Sequence, residues 1–255
     1  MNPRLRSFYT LLKKEIIRFL AVPAQTIFAP VITSALFLFI FGVNLGNRIA
    51  LHQPYSYAQF VIPGLVLMGV INNSFANTAS SLFFSRYIGN IVDLLVTPIS
   101  PAEMILAYTL AAITRGLLVG VAVLGIACCF SRLPWANPGM AFVMSVLTSF
   151  LLSQLGFIAA IYSESFEAIS MYTNFLLLPL VYLGGMFYPI SILPPFWGML
   201  SRFNPLFYTI EGFRHAILGS GDISLGLAFA VTASCSAVLF GWVVLVIGRW
   251  RRLQQ

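Results

Sequence analysis

Residues 90–105 read NIVDLLVTPISPAEMI. Two prolines, two acids and a Thr/Ser pair interrupt a chain that is otherwise poor in charge and carries long apolar runs on either side. The first part of the stretch predicts a short helix over 88–96, with Ile91, Leu94 and Leu95 on one face and Asp93 on another. Pro98 ends it, because proline cannot continue the hydrogen-bond ladder and biases Thr97 away from helix. Ser100 then caps a new helix, with Glu103 three residues on at capping-box spacing. Pro101 occupies the first helical position, where a missing N–H costs nothing. The stretch therefore writes a short helix, a rigid corner and the start of a long apolar helix.

The apolar runs set the class. Hydrophobic residues make up 59% of the 255 positions and charged residues 8%, and the mean hydropathy is +0.92. A soluble domain is about one quarter charged, so this composition belongs in a bilayer. The runs are continuous and not alternating, which predicts spanning helices and excludes a β-barrel. A span needs about 20 apolar residues, and six segments qualify: 27–45, 60–84, 104–130, 139–162, 169–188 and 223–248. The first of them comes after a long basic lead and is read as a span, not as a cleavable signal. The expected fold is all-α and membrane-embedded.

Charge orients the spans. Arg4, Arg6, Lys13, Lys14, Arg18, Arg86, Arg249, Arg251 and Arg252 fall on the side of the termini, while Arg48, Arg132, Arg202 and Arg214 fall opposite. Nine against four places both termini in the cytoplasm. The net charge of +7 is explained by this topogenic bias, and no nucleic-acid partner is expected. In the lead segment 4–20, Leu5, Phe8, Leu12, Ile16 and Phe19 draw one apolar stripe, with Arg6, Thr10, Lys13, Lys14 and Arg18 mostly off it. That is a basic amphipathic helix for the lipid interface.

Several chemistries are excluded. Lys13 and Lys14 are the only lysines and neither comes after a glycine-rich loop, so the chain is no P-loop ATPase. His52 and His215 are isolated, no HExxH occurs, and no metal site is expected. No Gly-x-Ser-x-Gly elbow occurs. Cys128, Cys129 and Cys235 lie in apolar runs and read as small buried hydrophobes. Catalysis by this chain alone is not expected.

Polar residues inside the spans are the remaining candidates. Arg115 falls about 12 residues past Glu103, roughly 18 Å along a helix. That depth costs at least about 2.5–3.5 kcal/mol unless the charge is paired or hydrated. Either it meets an anionic head group in a wet cavity, or it pairs with a carbonyl or an acid on a neighbouring helix. Gly116 and Gly120 beside it suit close helix packing. Asn73, Asn77 and Ser81 form a stripe on the second span, and Ser149, Ser153 and Gln154 another on the fourth. Such stripes glue helices or line a path. Glu164 and Glu167 in the loop after the fourth span read as solvated. On the outer side, Gly184–Gly185, Pro189, Pro194–Pro195 and Pro205 punctuate the residues before the last span. Two helices too short to span are expected there, dipping back from the surface. Glu211 reaches Arg214 or His215 within it.

The pattern D-L-L-x-T-P-I-S at 93–100, the amphipathic lead and N-P-L-F-Y-T-I-E-G-F-R at 204–214 together resemble ABC-2 type permeases, the membrane subunits of bacterial ABC exporters. The resemblance covers nearly the whole chain and implies one ABC-2 type transmembrane domain over 1–255 in the cytoplasmic (inner) membrane. It implies a homodimer in contact with membrane lipid and docked on a separate ABC ATPase, which would hold the ATP and Mg; this chain would bind no cofactor. The coupling loop would be 86–101, with Ile91, Asp93, Leu94, Leu95, Thr97 and Pro98 entering a cleft on the ATPase. The lead helix, through Lys13, Lys14, Glu15 and Arg18, would pack beside it. Tyr208, Glu211 and Arg214 in the re-entrant segment 189–218 would form an outer gate. The expected cargo is an amphiphile such as a lipid-linked saccharide, a lipid or a hydrophobic drug. A stand-alone secondary transporter is the alternative, but it would carry ionisable residues in several spans, and Arg115 stands alone. A scaffold without cargo would leave the broken outer segment unexplained.

Overall fold

The computed structural model describes residues 3–40, 55–92, 97 and 99–253. Among them five helices are long and apolar enough to cross a membrane, or six if a bent pair is counted as one span. In chain order the helices are α1 (Pro3–Leu20), α2 (Ala24–Ile40), α3 (Tyr57–Tyr87), α4 (Pro101–Phe130), α5 (Pro138–Tyr162), α6 (Phe166–Leu183), the short α7 (Pro195–Phe203) and α8 (Pro205–Leu218), and α9 (Leu225–Leu253). No strand occurs among the described residues.

Local chemistry starts most of these helices where they start. Ser56 and Gln59 form a capping box on α3, and Ser100 and Glu103 form the one expected on α4. Asn137, Ser165 and Asn204 cap α5, α6 and α8 through their side-chain oxygens. Each such cap contributes about 1 kcal/mol. Prolines shape two helices from within. In α2 a wide π-helical turn over Ala24–Phe28 precedes Pro30, and in α6 another over Tyr172–Leu177 precedes Pro179. Proline lacks an N–H and its ring pushes the carbonyl four residues back out of line; a wide turn absorbs both defects without ending the helix.

α3 is the centre of the bundle. Its partners are chiefly α4 and α5, with α8 closing one end. Small residues let the backbones approach: a Cβ built on Gly156 of α5 would stand 2.6 Å from the Phe75 carbonyl of α3, and one on Gly116 of α4 would collide with Ser74 Oγ. One apolar cluster fills the bundle around Phe60, Leu67, Phe75 and Phe213, and a second, at the end that holds both termini, joins Leu11, Ile99, Tyr108, Phe157 and Ile247. α4, α6 and α9 turn most of their apolar surface outward, as helices facing lipid do.

The cysteines correct an expectation. Cys128 and Cys129 are exposed and Cys235 is half-buried, all as free thiols. In a bilayer the outward face is itself apolar, so a small hydrophobe gains little by turning inward. The lead helix holds a second correction. Its buried line is Leu11, Glu15 and Phe19, while Leu5 is exposed, so the inward face is rotated by about one residue from the apolar stripe. The cause is polar: Glu15 and Arg18 find partners on α3. The axes of α1 and α2 differ by 75°. Thr26 Oγ1 fastens this corner by donating to the Phe19 carbonyl at 3.1 Å.

Candidate functional site

Three polar regions stand out along the bundle. At the end that holds the termini, α3 finishes at Tyr87, and Gly89 takes a left-handed conformation (φ +79°) that breaks the helix off from the next turn of chain. Ile88 therefore caps α3 and does not open the expected short helix; helical geometry resumes at Ile91 and Val92, and residues 93–96 of that expected helix lie outside the described residues. Ile91 packs against the apolar cluster of this end, whereas Val92 is exposed. Asp93, Leu94, Leu95 and Pro98 lie outside the described residues. Thr97 is half-exposed, and its carbonyl accepts from Ile99 N–H at 2.8 Å. The restart is firm. Ser100 N–H donates to Glu103 Oε2 at 2.7 Å and Glu103 N–H to Ser100 Oγ at 3.2 Å.

Beside this segment lies an exposed apolar surface. Tyr87 is 70% exposed, and Ile88, Tyr162 and Phe166 are exposed with it. Phe166 sits edge-on to Phe83 and tilted against Tyr87. Arg86 holds the neighbouring loop: its Nη1 donates to the carbonyls that end α5, those of Ala160, Ile161 and Ser163, and its guanidinium lies over the Trp250 ring. Glu164 in that loop and Glu167 in the first turn of α6 are exposed. Sequence reasoning had used Arg86 only for topology; the signal missed was a basic residue in the last turn of one span beside the free carbonyls of another.

The second region runs inward from α1. Lys13 and Lys14 are exposed, but Glu15 is 0% exposed and Arg18 is turned in beside it. Glu15 Oε2 accepts from Arg18 Nε at 3.1 Å and from Ser81 Oγ at 2.7 Å. Arg18 Nη2 donates to both the carbonyl and Oδ1 of Asn77 at 3.0 Å. One helical turn along α3, Asn73 Oδ1 accepts from Arg115 Nε at 3.2 Å, and Asn73 Nδ2 donates to the Gly69 carbonyl. Arg115 is thus held by an amide and not by an acid. Arg18, expected to point away from the apolar stripe, is a correction; its side chain is long enough to bury its stem and reach a polar partner. Next to this column, Thr78, Ser153, Thr109 and Gln154 join three helices through hydroxyl and amide bonds of 2.9–3.2 Å. Along these stripes Asn73, Asn77, Ser81 and Ser153 bond to neighbouring helices, while among the described residues Ser149 Oγ has no partner. Thr109 and the buried hydroxyl of Tyr108 were missed in the sequence; both are hydroxyl side chains within an otherwise apolar run.

The third region is at the opposite end. α6 stops at Gly184–Gly185, with Gly185 at φ +75°. α8 is enclosed by α3, α5 and α9, while α7 lies at the edge with Phe196, Trp197 and Phe203 exposed. Arg214, 1% exposed, is the knot. Its Nη1 meets Glu211 Oε2 at 2.5 Å, Nη2 donates to the carbonyls of Gly185 and Met186 at 2.7 and 3.3 Å, and Nε donates to the Phe60 carbonyl at 3.2 Å. Its Cζ lies over the Phe60 ring, 3.9 Å from the centroid. Glu211 Oε1 accepts from Asp222 N–H at 2.9 Å. Of the two partners open to Glu211, the structure selects Arg214; His215 Nδ1 contacts the Ile223 carbonyl instead. Tyr208 donates to the Arg202 carbonyl and lines an open cavity of about 690 Å³ with Arg202, Asp222, Met199 and Phe207. Burial, and then the Glu211 carboxylate, push the Asp222 carboxyl above the usual range. No cluster of metal-ligating residues occurs among the described residues.

A helical bundle with a capped restart after its central span, an amphipathic lead turned into that span and an enclosed short helix before the last span invites comparison with known transporters. The chain matches the family model described as ABC-2 type transporter over residues 6–218. It is 42% identical over 220 residues to the inner membrane transport permease YadH of Escherichia coli (strain K12), covering 86% of this chain and 85% of that one. It is 23% identical over 206 residues to nodulation protein J of Rhizobium meliloti (strain 1021), covering 80% of this chain and 79% of that one. A similar match, 24% identical over 223 residues, is to nodulation protein J of Neorhizobium galegae, covering 86% and 84%. With its fold, its polar core and these relatives in agreement, the chain belongs to the ABC-2 type transporter family.

Proposed function

We propose that this protein is the permease of an ATP-driven exporter in the bacterial inner membrane, working as a homodimer and moving an amphiphile outward. Its energy comes from a separate ABC ATPase, which carries the ATP and Mg. The observation that supports this best is the surface around residues 87–100. Exposed Tyr87, Ile88, Val92 and Phe166 form an apolar patch beside a helix restart stiffened by Ser100 and Glu103. A cluster of exposed apolar groups at the basic end of the bundle suits a protein partner. Asp93, Leu94, Leu95, Thr97 and Pro98 complete the proposed coupling element. The lead helix joins it to the core, because Leu11 packs in the same cluster as Ile99 and Met104 while Glu15 and Arg18 grip α3. A push on this element therefore reaches the central span directly.

At the outer end, α8 with Glu211 and Arg214 braces the exit, and Tyr208 faces the cavity that opens to the outside. The mixed walls of that cavity, apolar at Met199 and Phe207 and charged at Arg202 and Asp222, suit an amphiphile. The test is co-purification. The tagged chain is isolated from its host in mild detergent, and its partners are identified by mass spectrometry. An ABC ATPase is expected with the wild type and is expected to be lost when Val92→Asp is combined with Asp93→Arg. An ATPase retained by both would remove the coupling element from the proposal, and none with either would sink the ATPase-driven reading.

A further inference from the structure

The column formed by α1, α3 and α4 holds more positive charge than its own residues can answer. Arg18 and Arg115 sit one helical turn apart along α3, on Asn77 and Asn73. Glu15 is the one acid in contact with this column among the described residues; its Oε2 is bound to Arg18 and Ser81, while its Oε1 has no partner and its charge answers Arg18 alone. The remaining acids lie elsewhere. Glu103 is bound into the cap of α4, Glu164 and Glu167 are exposed at the start of α6, Glu211 is paired with Arg214, and Asp222 is beyond α8. Asp93, outside the described residues, belongs to the segment between α3 and α4, whereas Arg115 is half-way along the 30 residues of α4.

The hydrogen-bond inventory points the same way. Among the described residues Arg115 donates through Nε to Asn73, which leaves both terminal nitrogens of the guanidinium without a protein acceptor. Asn77, 0% exposed, has its Nδ2 donor unpartnered. The free donors of Arg115 and the surplus positive charge half-way along a spanning helix call for an anion, because an unanswered charge at that depth is costly. Arg115 is half-buried at the border of the outward face of α4, where Leu106, Leu110, Thr114 and Val121 succeed one another at helical spacing. A head group can reach the guanidinium from the side while its apolar chain lies along this face. We infer that Arg115, backed by Arg18 and Asn77, binds the anionic head group, a phosphate or a carboxylate, of an amphiphile that enters from the plane of the membrane. The guanidinium fork suits either oxyanion. That this amphiphile is cargo rests on the proposed export function; its binding does not.

The experiment uses the full chain, purified and delipidated in mild detergent, titrated with phosphatidylglycerol as the anionic probe and with an uncharged galactosyl diglyceride as control, and read by native mass spectrometry. The wild type is expected to hold phosphatidylglycerol about tenfold to a hundredfold more tightly than the uncharged lipid, the range of a charge-assisted hydrogen-bond pair. Arg115→Lys should keep most of the preference. Arg115→Gln should abolish it. Asn73→Asp should abolish it too, by placing a near-isosteric carboxylate where it answers the guanidinium internally; this variant decides the matter if Arg115→Gln fails to fold. No preference in the wild type, or a preference that survives in the folded variants, overturns the inference. Reconstitution with the partner ATPase then separates the sources: ATP-driven movement of labelled phosphatidylglycerol assigns the site to cargo, and binding without movement assigns it to a resident lipid. Failure to recover an ATPase leaves the binding result standing.

Discussion

Replacing Arg214 with methionine removes the knot at the outer end and keeps most of the side-chain volume. Glu211 then stays buried with its Oε2 unpaired, while Oε1 keeps the Asp222 amide. Breaking a buried pair from one side costs about 3–5 kcal/mol, and the retained amide places this case near the lower end. The carbonyls of Gly185 and Met186 lose their guanidinium donor as well, adding about 1 kcal/mol each. The expected loss is about 4–5 kcal/mol. Combining Arg214→Met with Glu211→Gln removes the stranded charge and should restore about half of it, since the orphaned carbonyls remain. The assay is equilibrium unfolding of the purified chain in mixed micelles with rising dodecyl sulfate, tracked by tryptophan fluorescence. A loss below about 1 kcal/mol for Arg214→Met, or a double variant no more stable than the single one, would refute a buried, mutually dependent pair.

Two further outcomes are expected. Gly156→Val forces a side chain towards the Phe75 carbonyl, a backbone atom that cannot move aside, so α3 and α5 must separate and the chain should lose about 1–3 kcal/mol in the same unfolding assay. Asp222 sets a pH dependence: because its folded carboxyl is raised, its contribution is fully present below the ordinary carboxylate range and is lost as pH rises through the higher folded value. Stability measured upward from that range should therefore fall less steeply in Asp222→Asn than in the wild type.

The features legible in the sequence are the local ones. The box at Ser100 and Glu103, the Gly184–Gly185 break and the Glu211–Arg214 pair at i,i+3 all rest on spacings of a few residues. The orientation of α1 was not legible, because it depends on Ser81 and Asn77, 66 and 59 residues from the side chains they hold. An apolar stripe reports where hydrophobes lie, and it is silent on which acid will find a donor on another helix. The same holds for Arg214, whose bonds to Phe60, Gly185 and Met186 span 154, 29 and 28 residues. The cysteines were misplaced for a different reason: in lipid, being apolar does not decide between inside and outside. For Arg115 the expected protein partners were carbonyls or acids, and the asparagine stripe, open to either packing or a path, supplied the amide.

The enclosure of α3 bears on how the protein is made. Its buried amides and hydroxyls at Asn73, Asn77, Thr78 and Ser81 are held by groups on α1, α4 and α5. Of these only α1 precedes it in the chain. When α3 leaves the ribosome, Glu15 and Arg18 are already synthesised, while Arg115, Thr109 and Ser153 are not. The lead helix is thus the one of these partners already present when α3 is made, and Asn73 and Thr78, which bond to α4 and α5, meet theirs only when those helices follow.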